Sequence, residues 1–188
     1  MFQLRRFTIA VLACACTAST TAIQAAPERA DASPRVHARA LTAWSLRPRI
    51  NAFQHERWYW ERLIGLRHAA PAGGNLKRMT YEDGLAALRL WRRRALAARR
   101  RGEHPPHFRQ FLCIHRYEGS WTDGGPPYYG GLQMDLGFQR SYGGFLLRLR
   151  GTADHWRPLE QIWIAERAFR SGRGFWPWPN TARACGLL

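Results

Sequence analysis

The sequence predicts a mainly α fold, α+β in class, in which a basic helical arm precedes a small helical domain with a cleft. Three observations point there. Apolar residues recur at helical spacing in separate stretches, helix-start signals precede two of them, and clusters of Gly and Pro divide one stretch from the next. Hydrophobic residues make up 46% of the 188, and nine are Trp, so part of the chain must bury a core. A wholly disordered chain is excluded.

The chain opens like an export signal. Arg5 and Arg6 form a positive start, Phe7 to Cys16 is apolar, and a stretch of small residues ends at Ala25-Ala26-Pro27. An apolar run of about ten residues is too short for a bilayer, which needs roughly 20, so residues 1–26 read as a secretion signal cleaved near Ala25 or Ala26. Val11-Leu12-Ala13-Cys14 loosely resembles a lipobox, which would instead leave a lipid anchor on Cys14.

The remaining elements follow in order. Residues 27–50 are rich in Ala, Pro and Arg without a convincing period and read as a linker. Residues 53–68 read as a helix with Phe53, Trp60, Leu63 and Ile64 in its repeat and Arg57-Glu61 at i, i+4. Pro71 to Gly74 breaks it. Thr80, followed by Glu82 and Asp83, has the form of an N-cap with acids in the first turn. The helix it starts would carry Leu85, Leu88, Trp91 and Leu96 on one side and end in two Arg triplets, where the helix dipole favours cations. His104-Pro105-Pro106-His107 marks a boundary, so 27–103 is the basic linker and helical arm and 104–188 the domain with the cleft. Within that domain a short helix, Phe108 to Tyr117, leads into a Gly/Pro/Tyr-rich stretch, Gly119 to Gly131. A helix around Leu132 to Tyr142 is expected to break at Gly143-Gly144. Asp154 is expected to cap a last helix that has Pro158 in its first turn and ends at Gly172 and Gly174.

Charge is uneven. The formal net charge is +16, of which 17 Lys and Arg against 7 Asp and Glu put +10 in residues 27–103, and 10 against 6 put +4 in residues 104–188. The arm therefore suits attraction to anionic envelope polymers or phospholipid head groups. No recognition motif accompanies the charge, and export removes the usual nucleic-acid partner, so none is expected. A solvated helix face without any ligand explains the same residues.

Export also sets the reading of the cysteines. Cys14 and Cys16 leave with the signal, and Cys113 and Cys185 remain as an even pair in an oxidising compartment. One disulfide is expected, two free buried thiols being the alternative. His104, His107, Cys113 and His115 lie close in sequence, but their spacing matches no established zinc pattern.

The candidate chemistry is at Glu118. On the helix that starts near Phe108, Ile114, Phe111 and His107 lie within about 40° of Glu118, while Cys113 projects to the far side. A disulfide from Cys113 would thus hold the tail behind the helix and leave Glu118 facing a cleft. An apolar surround favours the protonated carboxyl that a general acid needs. Trp121, Tyr128 and Tyr129 offer flat apolar faces for sugar rings, Gly130-Gly131 lets backbone approach a polymer, and Gln133 can bond hydroxyl or acetamido groups. Core packing explains each aromatic equally well. Taken alone, Glu118 is an ordinary solvated carboxylate.

Cys113 to Met134, CIHRYEGSWTDGGPPYYGGLQM, resembles the start of the transglycosylase-like domain of resuscitation-promoting factors, a lysozyme-like family. Glu160-Gln161, Ala165-Glu166-Arg167, Gly174-Phe175-Trp176-Pro177-Trp178 and Cys185 are similar to that family's closing helix and tail. The resemblance covers roughly residues 108–188 and stops upstream. It implies a lysozyme-like fold, Glu118 as the acid, and Trp121, Tyr129 and Gln133 along a glycan cleft. It further implies cleavage of the β-1,4 bond between N-acetylmuramic acid and N-acetylglucosamine in peptidoglycan, by a secreted or wall-located monomer that needs no cofactor. The chain departs from the pattern where Cys113 stands five residues ahead of Glu118 instead of directly before it, and in Pro126-Pro127. A hydrolase needs a second carboxylate, for which Asp123 and Asp135 are the candidates; a lytic transglycosylase needs only one. Asp135 is also placed to meet substrate beside Gln133. The competing reading is a peptidoglycan-binding or signalling module that kept the fold without the activity.

Overall fold

Helical structure starts ahead of the predicted position, because Ala43, Leu46 and Ile50 supply an apolar face that the surrounding Arg and Pro disguise. The computed structural model describes residues 42–67 and 75–188; the predicted export signal, Cys14, most of the predicted linker and Pro71 to Gly74 lie outside the described residues. A 3-10 turn, Ala43–Leu46, runs into α1, Arg47–Leu63, with Pro48 in its first turn where a missing N–H costs nothing. Residues 43–50, expected in the linker, thus belong to the helical arm.

The predicted helix start at Thr80 is present. Thr80 Oγ1 accepts the Asp83 N–H at 3.1 Å, and Asp83 Oδ2 accepts the Thr80 N–H at 3.2 Å, a reciprocal capping box that opens α2, Tyr81–Gly102. Leu46, Ile50, Leu88 and Trp91 form a buried cluster joining α1 and α2. Ala95 and Ala98 continue that buried face, whereas Leu96, expected there, is exposed. One and two helical turns beyond Trp91 fall on Ala95 and Ala98, and small residues suit a close helix pair.

The rest is helical apart from one hairpin. Helix α3 spans Phe108–Glu118; β1, Tyr128–Tyr129, pairs antiparallel with β2, Met134–Asp135, with Tyr128 opposite Asp135 and Tyr129 opposite Met134. Helices α4 (Leu136–Arg150), α5 (Pro158–Ala168) and α6 (Pro179–Ala184) follow, with a π-helical turn, Phe169–Arg173, after α5. The mainly α class holds.

Two local expectations are corrected. Gly143-Gly144 does not break α4: the helix runs through with a kink at Gly143 (φ −120°, ψ 16°), and a Cβ there would stand 2.6 Å from the Trp156 ring. That glycine serves close packing, not termination. Asp154 does not cap α5 but sits in a 3-10 turn, Ala153–His155, and Glu160 Oε2 accepts the Arg157 N–H at 2.7 Å instead.

Helix α5 is central, with Gln161, Ile162, Trp163, Ile164, Ala165 and Glu166 all buried. Phe111, Ile114, Leu132, Met134, Leu146 and Trp178 pack in the same core, and so do Leu63 and Ile64 of α1. The described residues, 42–67 and 75–188, accordingly belong to one compact unit that runs across the sequence boundary at 104. Three polar ties bind the arm to α5 and the turn after it. Tyr59 Oη donates to Glu160 at 2.5 Å, Trp163 Nε1 donates to the Gly102 carbonyl at 2.6 Å, and Arg170 Nη2 donates to the Ile64 carbonyl at 2.6 Å. Burial first, and then the Glu160 carboxylate, push the Tyr59 hydroxyl well above the ordinary tyrosine range. Trp60 covers Gly102 so closely that a Cβ there would lie 2.1 Å from its ring. Gly102→Ala is therefore expected to cost about 1–3 kcal/mol by overpacking, measurable by denaturant unfolding.

Candidate active site at the end of helix α3

Three constraints place Glu118. Phe111 and Ile114, on the Glu118 side of α3, are fully buried and fix the helix against the core. Cys113 is bonded to Cys185 across 72 residues of sequence, with the Cα atoms 6.0 Å apart. Thr181 of α6 then donates its hydroxyl to Glu118 Oε1 at 2.7 Å. The tail thus grips α3 on both sides rather than lying only behind it, and Glu118 is half-buried, not fully open. Sequence reasoning missed Thr181. Its one available signal is spacing: a polar residue one helical turn before Cys185 falls level with the residue just over one turn past Cys113.

The loop after Glu118 is built around two amide side chains. Gln133, at φ 44°, donates from Nε2 to Asp123 Oδ2 and to the Gly130 carbonyl, both at 3.0 Å. Asp123 Oδ1 also accepts the Gly125 N–H at 3.2 Å, and its carbonyl accepts the Gly130 N–H at 2.7 Å. Asp123 is therefore committed to shaping the loop. Gly119, the residue directly after Glu118, lies against the same pair: a Cβ there would be 3.2 Å from Gln133 Nε2 and 3.3 Å from Asp123 Oδ2. Beneath the loop, buried Gln161 accepts the Gly131 N–H at 2.8 Å and donates to the carbonyls of Trp121 and Ala153, each at 2.8 Å. Gln161 lies in the stretch that carried the family resemblance, yet its partners are 5 to 40 residues away. Gln161→Leu would take this partner from the Gly131 N–H and the Trp121 carbonyl, while the Ala153 carbonyl keeps the Trp156 N–H at 3.0 Å, and an expected loss of about 2 kcal/mol would appear in thermal unfolding.

The predicted substrate residues separate into two groups. Tyr128, Gln133 and Asp135 line one cleft of about 300 Å³ together with Phe138, Tyr142, Arg173 and Trp178. Tyr128 is half exposed at its rim. Trp121 instead stacks on His115, centroids 3.8 Å apart, and Tyr129 packs against the main core. Gly130 and Gly131 are buried, and added Cβ atoms would meet Gln161 at 2.5 Å and His115 at 2.5 Å. These glycines are needed for internal packing, which corrects the expectation that they open the backbone to a polymer. Asp135 caps α4, its Oδ1 accepting the Phe138 N–H at 2.7 Å, while still bordering the cleft. Glu118 is not part of that lining; Gly119 and Gln133 connect the two. Larger hollows of about 470 and 750 Å³ lie against α1 and α2, the second also against Trp163 and Arg170, and neither is lined by Glu118, Gln133 or Asp135.

Among the described residues no group of three or more His, Cys, Asp and Glu is placed to hold a metal ion. His107 faces buried Glu166, and His115 bonds the Gly131 carbonyl at 3.0 Å. Among the described residues no helix is long and apolar enough to cross a membrane. No protein-family model, curated protein or solved structure matches the chain.

Proposed function

We propose that the protein is a secreted cell-wall glycosidase of lysozyme-like fold that cleaves the β-1,4 MurNAc–GlcNAc bond of peptidoglycan. The observation that carries this reading is the setting of Glu118. It ends a helix with a fully buried apolar face, is held by Thr181, and adjoins through Gly119 the residue Gln133 of an aromatic-lined cleft. A carboxyl held in one place beside a groove with flat rings suits protonation of a glycosidic oxygen.

Lytic transglycosylation fits better than hydrolysis. Asp123 spends both carboxylate oxygens on Gly125 and Gln133, and Asp135 holds the start of α4 with one of its own, so both carboxylates already serve the fold. In the lytic route the muramic acid's own 6-hydroxyl attacks the sugar carbon as Glu118 protonates the leaving oxygen. The proton accounting closes if Glu118 then takes up the proton released by that hydroxyl. Mass spectrometry of muropeptides from purified walls tests this. 1,6-anhydro ends are expected; reducing ends alone would make the enzyme a muramidase, and an unchanged wall would leave the binding or signalling module. The basic arm, on this reading, draws the monomer to anionic envelope polymers.

A further inference from the structure

Between α1, α4 and α5 the structure gathers a second site. A cavity of about 330 Å³ is lined by Arg62, Arg67, Arg140, Arg148 and Arg167, brought from α1, the residues after it, α4 and α5. No Asp or Glu lines it. Gly65 and Gly144 line it as well, and the nearest approach to a Cβ on Gly144 would be Arg148 Nη1 at 3.7 Å. Arg140, Gly144 and Arg148 repeat at i, i+4, i+8, so one face of α4 presents two guanidinium groups to a space left by a glycine.

Arg167 makes the argument stronger. It is half-buried, and burial first, then the charge of Arg170, hold its pKa below the usual guanidinium range. A desolvated cation opposes folding unless an anion answers it; Arg167 is that cation here, with Arg140 and Arg148 exposed beside it, and among the described residues no carboxylate makes an ion pair with any of the three. Planar guanidinium forks converging from several elements match the oxygens of a phosphate group, which they bind bidentately. A carboxylate would need fewer of them.

We propose that this arginine pocket is a binding site for a phosphate group, whether carried by a lipid headgroup or free. It stands apart from the catalytic reading and does not depend on it, although Ser141 and Tyr142 border both the pocket and the cleft beside Gln133. The phosphate site is thus at the junction of arm and core, not along the Arg triplets of α2.

The test uses the full mature chain with two probes, inorganic pyrophosphate by calorimetry and phosphatidylglycerol vesicles by co-sedimentation. Arg140→Gln with Arg148→Gln removes two exposed charges from the pocket; Arg92→Gln with Arg93→Gln removes two exposed charges from α2. Because the net charge change is equal, only location differs, and melting curves of both variants confirm that each is folded. The pocket variant is expected to weaken binding about tenfold or more, the α2 variant less than about threefold. Weakened pyrophosphate binding assigns the pocket to a free phosphate, and weakening confined to vesicles assigns it to a lipid headgroup. Equal weakening by both variants, unchanged binding by the pocket variant, or no saturable binding of either probe by the unaltered chain overturns the proposal.

Discussion

Glu118→Gln is expected to slow clearing of purified walls by about 10²- to 10⁴-fold, the usual contribution of a positioned general acid. The substitution isolates the proton. An amide has the same shape, and its oxygen can still accept the Thr181 hydroxyl, which bonds Glu118 Oε1 at 2.7 Å. The melting temperature should therefore stay close to that of the unaltered chain, so a loss of clearing reports chemistry and not unfolding. Asp123→Asn supplies the contrast. If one carboxyl group suffices, its effect comes only through the loop that Asp123 holds against Gln133 and Gly130, and it should be far smaller. Equal clearing by Glu118→Gln and the unaltered chain would remove Glu118 from the mechanism.

The second large effect is on stability. Replacing Cys113 and Cys185 together by Ser opens a link spanning 72 residues of sequence. The chain-entropy model puts the loss near ~4 kcal/mol. For a chain of this size that corresponds to a drop of about 10 °C in melting temperature. Comparing urea unfolding of the double variant with that of the unaltered chain, oxidised and reduced, checks it. A difference below about 1 kcal/mol would mean that the bond restrains the unfolded chain very little. Activity should fall as well, because Cys185 follows directly on α6, which carries Thr181.

The parts of the fold legible in the sequence are those set by neighbours in sequence. Thr80 and Asp83 satisfy one another across a single turn, so the start of α2 could be read from four residues. Phe111, Ile114 and Glu118 share a face by helical period alone, and the two cysteines outside residues 1–26 had one another as partner. What could not be read depends on residues far apart. Gly143 looks like a helix breaker until Trp156 is seen packed on it. Asp154 looks like a cap, but Glu160 reaches the Arg157 N–H from inside the helix. In the candidate site the acid, Gln133 and the loop tyrosines were legible as residue types. The assignment of Trp121 to His115, and of Gly130 and Gly131 to internal packing, required the fold.

The ties between the arm and α5 decide how this protein can be divided. A fragment beginning at His104 would lose Tyr59 from buried Glu160 and the Gly102 carbonyl from Trp163. It would also bare the core surface that Leu63 and Ile64 cover. Such a fragment is expected to be poorly soluble and bound by hydrophobic dyes, although it would contain Glu118 and the cleft beside Gln133. The arm behaves as a built-in folding partner, so the roles of its charges have to be mapped by substitution in the whole chain and not by deletion.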